Sequence, residues 1–455
     1  MHRTNVSIEH QCESSKVGKW NITSELRLPF GMVPFVKGRE DIEVLMRNQE
    51  LLPEGQPIEL SGFGLNTILR RSMSLGYELE QEGRDDCSYS AMIEAHPSVV
   101  SYPPDLIWLA KEDEVERLVK GIRDELPLSD FHLTTADADR VSSEIGNRLL
   151  GNGRAYSFWR RLIEKDDATN QSLSRHVMEY SISGANRARA TAMGGIVPAL
   201  DRKTPGSADL MHSYNVAYAA AIGERLDQGL KAPRYLYTIP VNPSVVEADS
   251  WSPVLETAIR QVRTALESAM IDGILLIVRG LKSISLSTGR VNVVSSLANK
   301  LSEIASENHL PLWWSRPGLV GLTALDTGCS FASYRLNLDI DDVYIGSGGP
   351  VPKHHQYGRI LNPIMKQVWV KSQVEKAMTG INSGMPDIGH GITAPTAIDL
   401  EDPRRYRINF SKPYNISSFG YLDADWKASV VSGETEPGSQ YLQSFEAPYN
   451  QWGLK

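Results

Sequence analysis

The scarcity of cysteine and the absence of long apolar runs exclude several classes of protein. The three cysteines, Cys12, Cys87 and Cys329, are widely spaced, so they build neither a disulfide framework nor a local CxxC zinc site. The N-terminal residues show no apolar region of a secretory signal, and no window approaches the roughly 18 consecutive apolar residues of a membrane span. We therefore expect a cytoplasmic protein that has no membrane partner.

Motifs that mark several common enzyme classes are also absent. The chain has no Gly-x-Gly-x-x-Gly turn after an early strand, no phosphate loop of the Gly-x₄-Gly-Lys-Ser/Thr type and no Gly-x-Ser-x-Gly nucleophile elbow. It also lacks the His-Glu-x-x-His and His-x-His spacings of many metal sites. We therefore predict no metal site, and the sequence leaves the identity of any cofactor unknown.

The charge balance is mildly acidic, which limits the partners that the chain can bind. Lysine and arginine number 47 against 55 aspartate and glutamate residues, for a net charge of -8. A nucleic-acid surface spread over the whole chain is excluded, so nucleic acid would have to bind at a local basic patch, such as the regions near Arg187 and Arg202. The length of 455 residues and a hydrophobic fraction of 41% are sufficient for a large folded core.

From about residue 99 to residue 345, short apolar segments alternate with amphipathic helical segments, a pattern typical of βαβ units and a parallel sheet. It is clearest between Arg234 and Arg335. The segments that match a strand are 105–109, 131–135, 194–200, 234–241, 274–278, 311–315, 331–336 and 343–345. Eight parallel strands with intervening helices predict an α/β fold of the (β/α)₈ TIM-barrel type. An open, doubly wound parallel sheet is the alternative.

The same pattern divides the chain into three parts. Residues 1–95 are punctuated by prolines and are predicted to be an irregular N-terminal extension. Residues 96–352 are predicted to form the barrel, with a polar, helical insert at about 137–190. Residues 353–455 are predicted to form a C-terminal helix and a turn-rich tail that packs on the barrel.

Candidate substrate-binding residues follow from the fold, because the site of a parallel α/β barrel lies at the carboxyl ends of its strands. The residues at predicted strand ends are Lys203, Asn242, Arg279, Ser315, Arg316 and Arg335. Arginine is the side chain best suited to a carboxylate or phosphate, so we expect a small anionic substrate. Alternatively, these arginines pair with loop carboxylates such as Asp339 and Asp341.

A glycine-rich loop and three titratable residues complete the candidate site. The loop consists of Gly346, Ser347, Gly348 and Gly349, and its position after the last predicted strand is one where barrels bind phosphate. A plain turn is its alternative role. The candidate catalytic residues are Asp201, His354 and His355. Each has a structural alternative, which is a cap for the aspartate and a solvated loop for the histidines.

Two hypotheses about function follow from the sequence. The first is a cytoplasmic α/β-barrel enzyme that acts by general acid/base chemistry on an anionic substrate, such as a phosphorylated or nucleotide-like compound. The second is a non-catalytic barrel subunit of a multi-protein or nucleic-acid-handling assembly. The predicted insert and tail favour the second hypothesis, because material outside a barrel often contacts a protein partner.

Overall fold

A closed barrel of eight parallel strands forms the centre of the molecule. The computed structural model describes residues 31–53, 55–84, 87–102, 168–202, 206–246, 251–268, 271–278, 288–317, 321, 329–338, 357–364, 367–379 and 394–432. Consecutive strands are neighbours, and the last strand pairs with the first in parallel. This closure confirms the predicted (β/α)₈ TIM-barrel type and excludes the open-sheet alternative.

The barrel strands run in chain order around the ring. They are β1 (Gly31–Val36), β2 (Ile58–Ser61), β3 (Ser98–Ser101), β4 (Ala192–Gly194), β5 (Arg234–Val241), β6 (Gly273–Val278), β7 (Leu312–Ser315) and β8 (Phe331–Arg335). A separate antiparallel pair follows, formed by β9 (Ile360–Asn362) and β10 (Gln367–Trp369).

Helices follow the strands along the described chain. They are α1 (Arg39–Arg47), α2 (Leu65–Gln81), α3 (Tyr89–Ala95), α4 (Ala168–Arg187), α5 (Ser207–Asp227), α6 (Pro243–Val246), α7 (Pro253–Ser268), α8 (Thr288–Glu307), α9 (Lys371–Thr379), α10 (Ala397–Glu401), α11 (Pro403–Tyr406) and α12 (Lys412–Ser432). A π-helical turn, Arg407–Ser411, joins the last two. Among these described helices, none has the length and apolar composition that crossing a membrane requires.

The first half of the barrel differs from the sequence-based prediction. Strands β1, β2 and β3 lie within residues 31–101, so the prediction of an irregular extension is wrong for the described part of residues 31–95. These strands are short, β2 alternates apolar and polar residues, and β3 has only two apolar residues between two serines, so neither forms an apolar run. The predicted strand 194–200 begins where β4 ends, and Leu200 makes only an isolated bridge to Val241.

The remaining predicted strands divide into two groups. The four predicted at 234–241, 274–278, 311–315 and 331–336 correspond to β5, β6, β7 and β8. The three predicted at 105–109, 131–135 and 343–345 lie outside the described residues. The predicted insert at about 137–190 is described only from residue 168 onward, where it forms α4.

Side chains alternate along each strand between the barrel interior and the surrounding helices. The interior cluster consists of Val33, Val99, Ala192, Leu236, Leu275, Ile277, Trp313 and Phe331. The residues between them, such as Ile274 and Leu276 of β6, belong to the larger outer core that the helices share. Each strand is therefore covered on both faces.

Helix α12 covers the seam where the barrel closes. Phe419 stacks on Tyr334 of β8 with ring centroids 3.8 Å apart, and the Asp423 carboxylate accepts a hydrogen bond of 3.3 Å from the backbone N–H of Met32 in β1. Residues 411–419 are all buried, so the first turns of the helix lack the one-sided apolar stripe that marks an amphipathic helix. Residues 412–432, predicted to belong to a turn-rich tail, are therefore a helical part of the barrel wall.

Charged groups attach the start of α12 to the first turn of α1. Lys412, which is 2% exposed, donates hydrogen bonds of 3.1 Å to Glu40 and 2.7 Å to Asp41. Arg407 binds both carboxylate oxygens of Glu40 at 2.8 and 2.6 Å. Burial alone would raise the pKa of Glu40, but the hydrogen bonds and charges of Arg407 and Lys412 outweigh it and lower the pKa from 4.5 to about 2.

The Glu40 cluster should make stability depend on pH. Because the pKa of Glu40 is lower in the folded state, its stabilisation is fully present above about pH 4.5 and is lost as the pH falls towards 2. At pH 7 we expect Glu40→Gln to lower the free energy of unfolding by about 2 kcal/mol, allowing for solvent screening. Urea denaturation at pH 7 and at steps below pH 4.5 measures the difference.

The exposed Glu303 on α8 provides the matched control. Glu303→Gln should change the free energy of unfolding by less than about 0.5 kcal/mol at pH 7, as exposed substitutions usually do. A deficit in Glu40→Gln that stays constant down to pH 2.5 would show that the ionised carboxylate does not provide the stabilisation.

Candidate active site

A glutamate lies inside the barrel, close to the carboxyl ends of the first strands. In the strand register Glu59 of β2 is the partner of Phe35 in β1, and Phe35 is in turn the partner of Arg335 in β8. Register partners in neighbouring strands face the same side of a sheet, and Val99, the partner of Glu59 in β3, belongs to the interior cluster. Glu59 is 0% exposed. The barrel therefore encloses a carboxyl group.

Three side chains from two other strands donate hydrogen bonds to Glu59. Ser101 Oγ binds its Oε1 at 2.5 Å, Ser315 Oγ binds the same oxygen, and Trp313 Nε1 binds its Oε2 at 2.7 Å. A carboxylate buried without partners would cost many kcal/mol, so these donors are what makes its burial tolerable. The residues come from β2, β3 and β7, which only closure of the barrel brings together.

Arg316 extends this network at the end of β7. Its Nε donates to Ser315 Oγ at 2.8 Å, and its backbone N–H donates to Ser333 Oγ at 2.6 Å. The guanidinium carbon lies 5.0 Å from the centroid of the Phe35 ring, within the range of a cation–π contact. With 5% of its surface exposed, this arginine is held on several sides by the interior of the barrel.

The backbone of Arg316 is in a conformation that arginine rarely adopts. Its φ of 60° is in the left-handed region, which is costly for residues with a Cβ. Such strain persists only where the surroundings determine it, and it is concentrated at functional sites. The strain lies at the carboxyl end of a barrel strand, the end where barrel enzymes hold their substrates.

Arg335 is the second arginine on this side of the barrel. It is the last residue of β8, follows Ser333 by two positions on the same interior face, and is partly exposed. Its register partner is Phe35, whose ring contacts Arg316. Two of the predicted substrate-binding arginines are thus on adjacent strands next to the same aromatic residue.

Asp201 and Asn242 lie on the opposite side of the ring. The backbone N–H of Asn242 donates to the Leu200 carbonyl at 3.0 Å, so the residue after Leu200 and the residue after β5 are neighbours. Both side chains belong to buried residues. The backbone N–H and carbonyl of Asp201 bind Ser207 Oγ at 3.2 and 3.1 Å, beside the start of α5.

The structure brings together only part of the predicted site. Ser315 and Arg316 share one hydrogen-bond network, and Arg335 is adjacent to it in register. Asp201 and Asn242 are at β4 and β5, which are across the ring from β8 and β1. The predicted residues Lys203, Arg279, Gly346, Ser347, Gly348, Gly349, His354 and His355 lie outside the described residues.

Sequence reasoning missed the carboxylate and most of its partners. Glu59 and Ser101 occur in strands that were assigned to other structure, and Trp313 was predicted in a strand but without a polar contact. The alternation in Ile58-Glu59-Leu60-Ser61 is a strand signal of period two. This alternating pattern is only four residues long, which is too short to distinguish a strand from a loop.

Three other titratable groups in the described structure, His96, His212 and Cys329, have shifted pKa values but do not belong to the Glu59 network. Burial lowers the pKa of His96, which contacts the Gln56 carbonyl, and the pKa of His212, which contacts Tyr237 OH. Burial raises the pKa of Cys329 to about 12, so this thiol stays protonated at neutral pH. Within the described ranges, no group of three or more His, Cys, Asp or Glu residues could hold a metal ion.

The fold and the buried polar network define the class of protein as a (β/α)₈ barrel with charged side chains at the carboxyl end of its strands. No protein-family model and no curated protein matches the chain. The geometry at the carboxyl ends of β1, β2, β7 and β8 is therefore the basis on which a function can be proposed.

Two adjacent tryptophans allow the Glu59 network to be tested. Trp313 donates to Glu59, whereas Trp314 Nε1 is buried and has no hydrogen-bond partner among the residues that the structure describes. We expect Trp313→Phe to lower the free energy of unfolding by about 1.5–3 kcal/mol more than Trp314→Phe does, the usual range for a hydrogen bond to a charged group. Chemical denaturation of both variants measures the difference, and equal losses would show that the contact to Glu59 contributes nothing.

Proposed function

We propose that this barrel is an enzyme that binds an anionic substrate with Arg316 and Arg335 and acts on it by general acid/base chemistry. The observation that carries the proposal is Arg316, which is buried, has a left-handed backbone and is held by Ser315 and Ser333 at the carboxyl end of β7. A guanidinium fixed in this way is prepared for a ligand before the ligand arrives, which lowers the entropy lost on binding.

The chemistry of the side chain favours an anion. Guanidinium is planar, keeps its charge at all ordinary pH values and donates pairs of hydrogen bonds that match carboxylate and phosphate oxygens. Arg335, partly exposed on the next strand, would add a second positive charge on the same interior face. Phosphorylated and nucleotide-like compounds are the anions that we propose, with the loop from Gly346 to Gly349 following β8 in sequence as the phosphate-binding element.

Asp201 is the residue that we propose for proton transfer, with His354 and His355 as alternatives. Asp201 follows the bridge residue Leu200, whose backbone carbonyl binds Asn242 beyond the carboxyl end of β5. A carboxylate at the rim opposite the arginines would be separated from the bound anionic group. That separation suits a substrate whose anionic part is held on one side while another part reacts on the other.

Replacement of Arg316 by lysine should weaken anion binding without unfolding the protein. Lysine keeps the positive charge but loses the planar pair of donors. We expect Arg316→Lys and Arg335→Ala each to raise the Kd for inorganic phosphate or adenosine monophosphate by about tenfold or more, as one lost charge-assisted contact does. Isothermal titration calorimetry measures the Kd, and both variants should remain folded at the temperature of the titration.

Arg234→Lys is the matched control, because Arg234 is the first residue of β5 and lies at the opposite, amino end of the barrel. Its Kd values should equal those of the unmodified protein. Normal phosphate binding by both Arg316→Lys and Arg335→Ala would refute the proposed site. It would also be refuted if the unmodified protein bound neither inorganic phosphate nor adenosine monophosphate.

A further inference from the structure

We infer that Glu59 and Ser315 form a positioning pair that orients the guanidinium of Arg316 towards the anion, without touching the anion themselves. The inference rests on the proposed function and adds to it a requirement for a buried carboxylate. It is carried by one continuous chain of hydrogen bonds, from Glu59 Oε1 through Ser315 Oγ to Arg316 Nε.

The direction of these hydrogen bonds is determined by the donors available. A serine hydroxyl has one proton and two lone pairs, and an arginine Nε–H can only donate. Arg316 Nε donates to Ser315 Oγ at 2.8 Å, so the hydroxyl accepts from the arginine and its single proton points to Glu59. The carboxylate thus orients the hydroxyl, and the hydroxyl presents its lone pair to the guanidinium.

Glu59 is itself held so that it cannot turn away. Its Oε1 accepts from Ser101 at 2.5 Å as well as from Ser315, and its Oε2 accepts from Trp313 at 2.7 Å. Both oxygens are engaged by groups on rigid strands, and the side chain is fully buried. A site built on strands with its supporting contacts satisfied keeps its geometry more tightly than one built on loops.

The guanidinium is restrained on its other side as well. The Phe35 ring lies 5.0 Å from its central carbon, and the backbone of the same arginine is tied to Ser333. The nitrogen Nε is used for the internal contact with Ser315. The terminal nitrogens of the guanidinium are the donors that face a ligand when Nε is used internally, and their direction depends on how Nε is held.

Ser101 provides a control that separates positioning from simple stabilisation. Ser101 and Ser315 both donate to Oε1 of Glu59, and both are buried. Only Ser315 also contacts Arg316. If the two hydroxyls served only to satisfy the buried carboxylate of Glu59, loss of either one would change the Kd for phosphate equally.

The experiment compares Ser315→Ala with Ser101→Ala by isothermal titration calorimetry of the full chain with inorganic phosphate. We expect Ser315→Ala to raise the Kd for phosphate about tenfold and Ser101→Ala to raise it less than about threefold, because only the first removes the link to Arg316. The melting temperature should fall in both variants, and further in Ser315→Ala, which loses the contact with Arg316 as well as the contact with Glu59. Ser315→Cys, which keeps the size of the side chain but replaces the hydroxyl by a weak thiol, should bind phosphate as weakly as Ser315→Ala does and is the variant to use if the alanine variant does not fold.

The outcomes distinguish this inference from the proposed function. Equal changes of Kd in the two serine variants, or an unchanged Kd in Ser315→Ala or Ser315→Cys, would overturn the positioning role, while the proposed function would stand if Arg316→Lys binds weakly. If the Kd is unchanged in both single variants, Arg316→Lys and Arg335→Ala, the proposed function is overturned, and the positioning role is overturned with it.

Discussion

Closure of the barrel between β8 and β1 is the constraint on which the rest of the structure depends. The register runs from Gly31 opposite Phe331 to Phe35 opposite Arg335, and Phe35 is also the partner of Glu59 on the other side. A change of register by one residue would turn these side chains from the interior to the helices. The arginine, the aromatic ring and the carboxylate are therefore adjacent because of this pairing. Helix α12 secures the same seam from outside through the stack of Phe419 on Tyr334.

The interior of this barrel is apolar in its middle and polar towards the carboxyl ends of the strands. The interior cluster contains Val33, Val99 and Leu236, whereas Ser101 and Ser315, the last residues of β3 and β7, form a polar network with Glu59. Replacement of a buried ionic network by apolar residues of similar volume is often neutral or stabilising in proteins. Stability alone therefore does not explain why a carboxylate occupies this position. A requirement to hold Arg316 in one orientation does.

The extent to which sequence predicts this structure differs between the two halves of the barrel. The strands β5 to β8 were predicted because Gly273–Val278 and its neighbours are apolar runs separated by helical patterns. The strands β1 to β4 have three to six residues, and β2 and β3 place polar side chains in the interior, so their local sequence resembles that of loops. Local patterns identify elements that bury apolar surface on both faces. They do not identify short strands whose pairing depends on closure.

The candidate site was also predicted only in part, because sequence patterns carry local information. Ser315 and Arg316 were predicted from their place at the end of an apolar strand, which is local information. The contact of Trp313 with Glu59 joins residues 254 positions apart, and it exists only because β2 and β7 face the same enclosed space. A rule based on strand ends identifies individual candidate residues but not the contacts between them. It cannot find a residue in the middle of a four-residue strand whose role is set by partners on other strands.

The first turns of α12 connect the barrel wall to the residues that carry the site. Asn415 donates hydrogen bonds to the carbonyls of Leu336 and Arg359 at 2.7 and 2.8 Å and accepts one from Leu361 N–H at 2.8 Å. Leu336 directly follows Arg335, and Lys412 binds Asp41, whose carboxylate accepts from the backbone N–H of Lys37 after β1. The chain is thus held just beyond both Phe35 and Arg335. The position of the candidate anion-binding residues therefore depends on α12, although α12 contributes none of them.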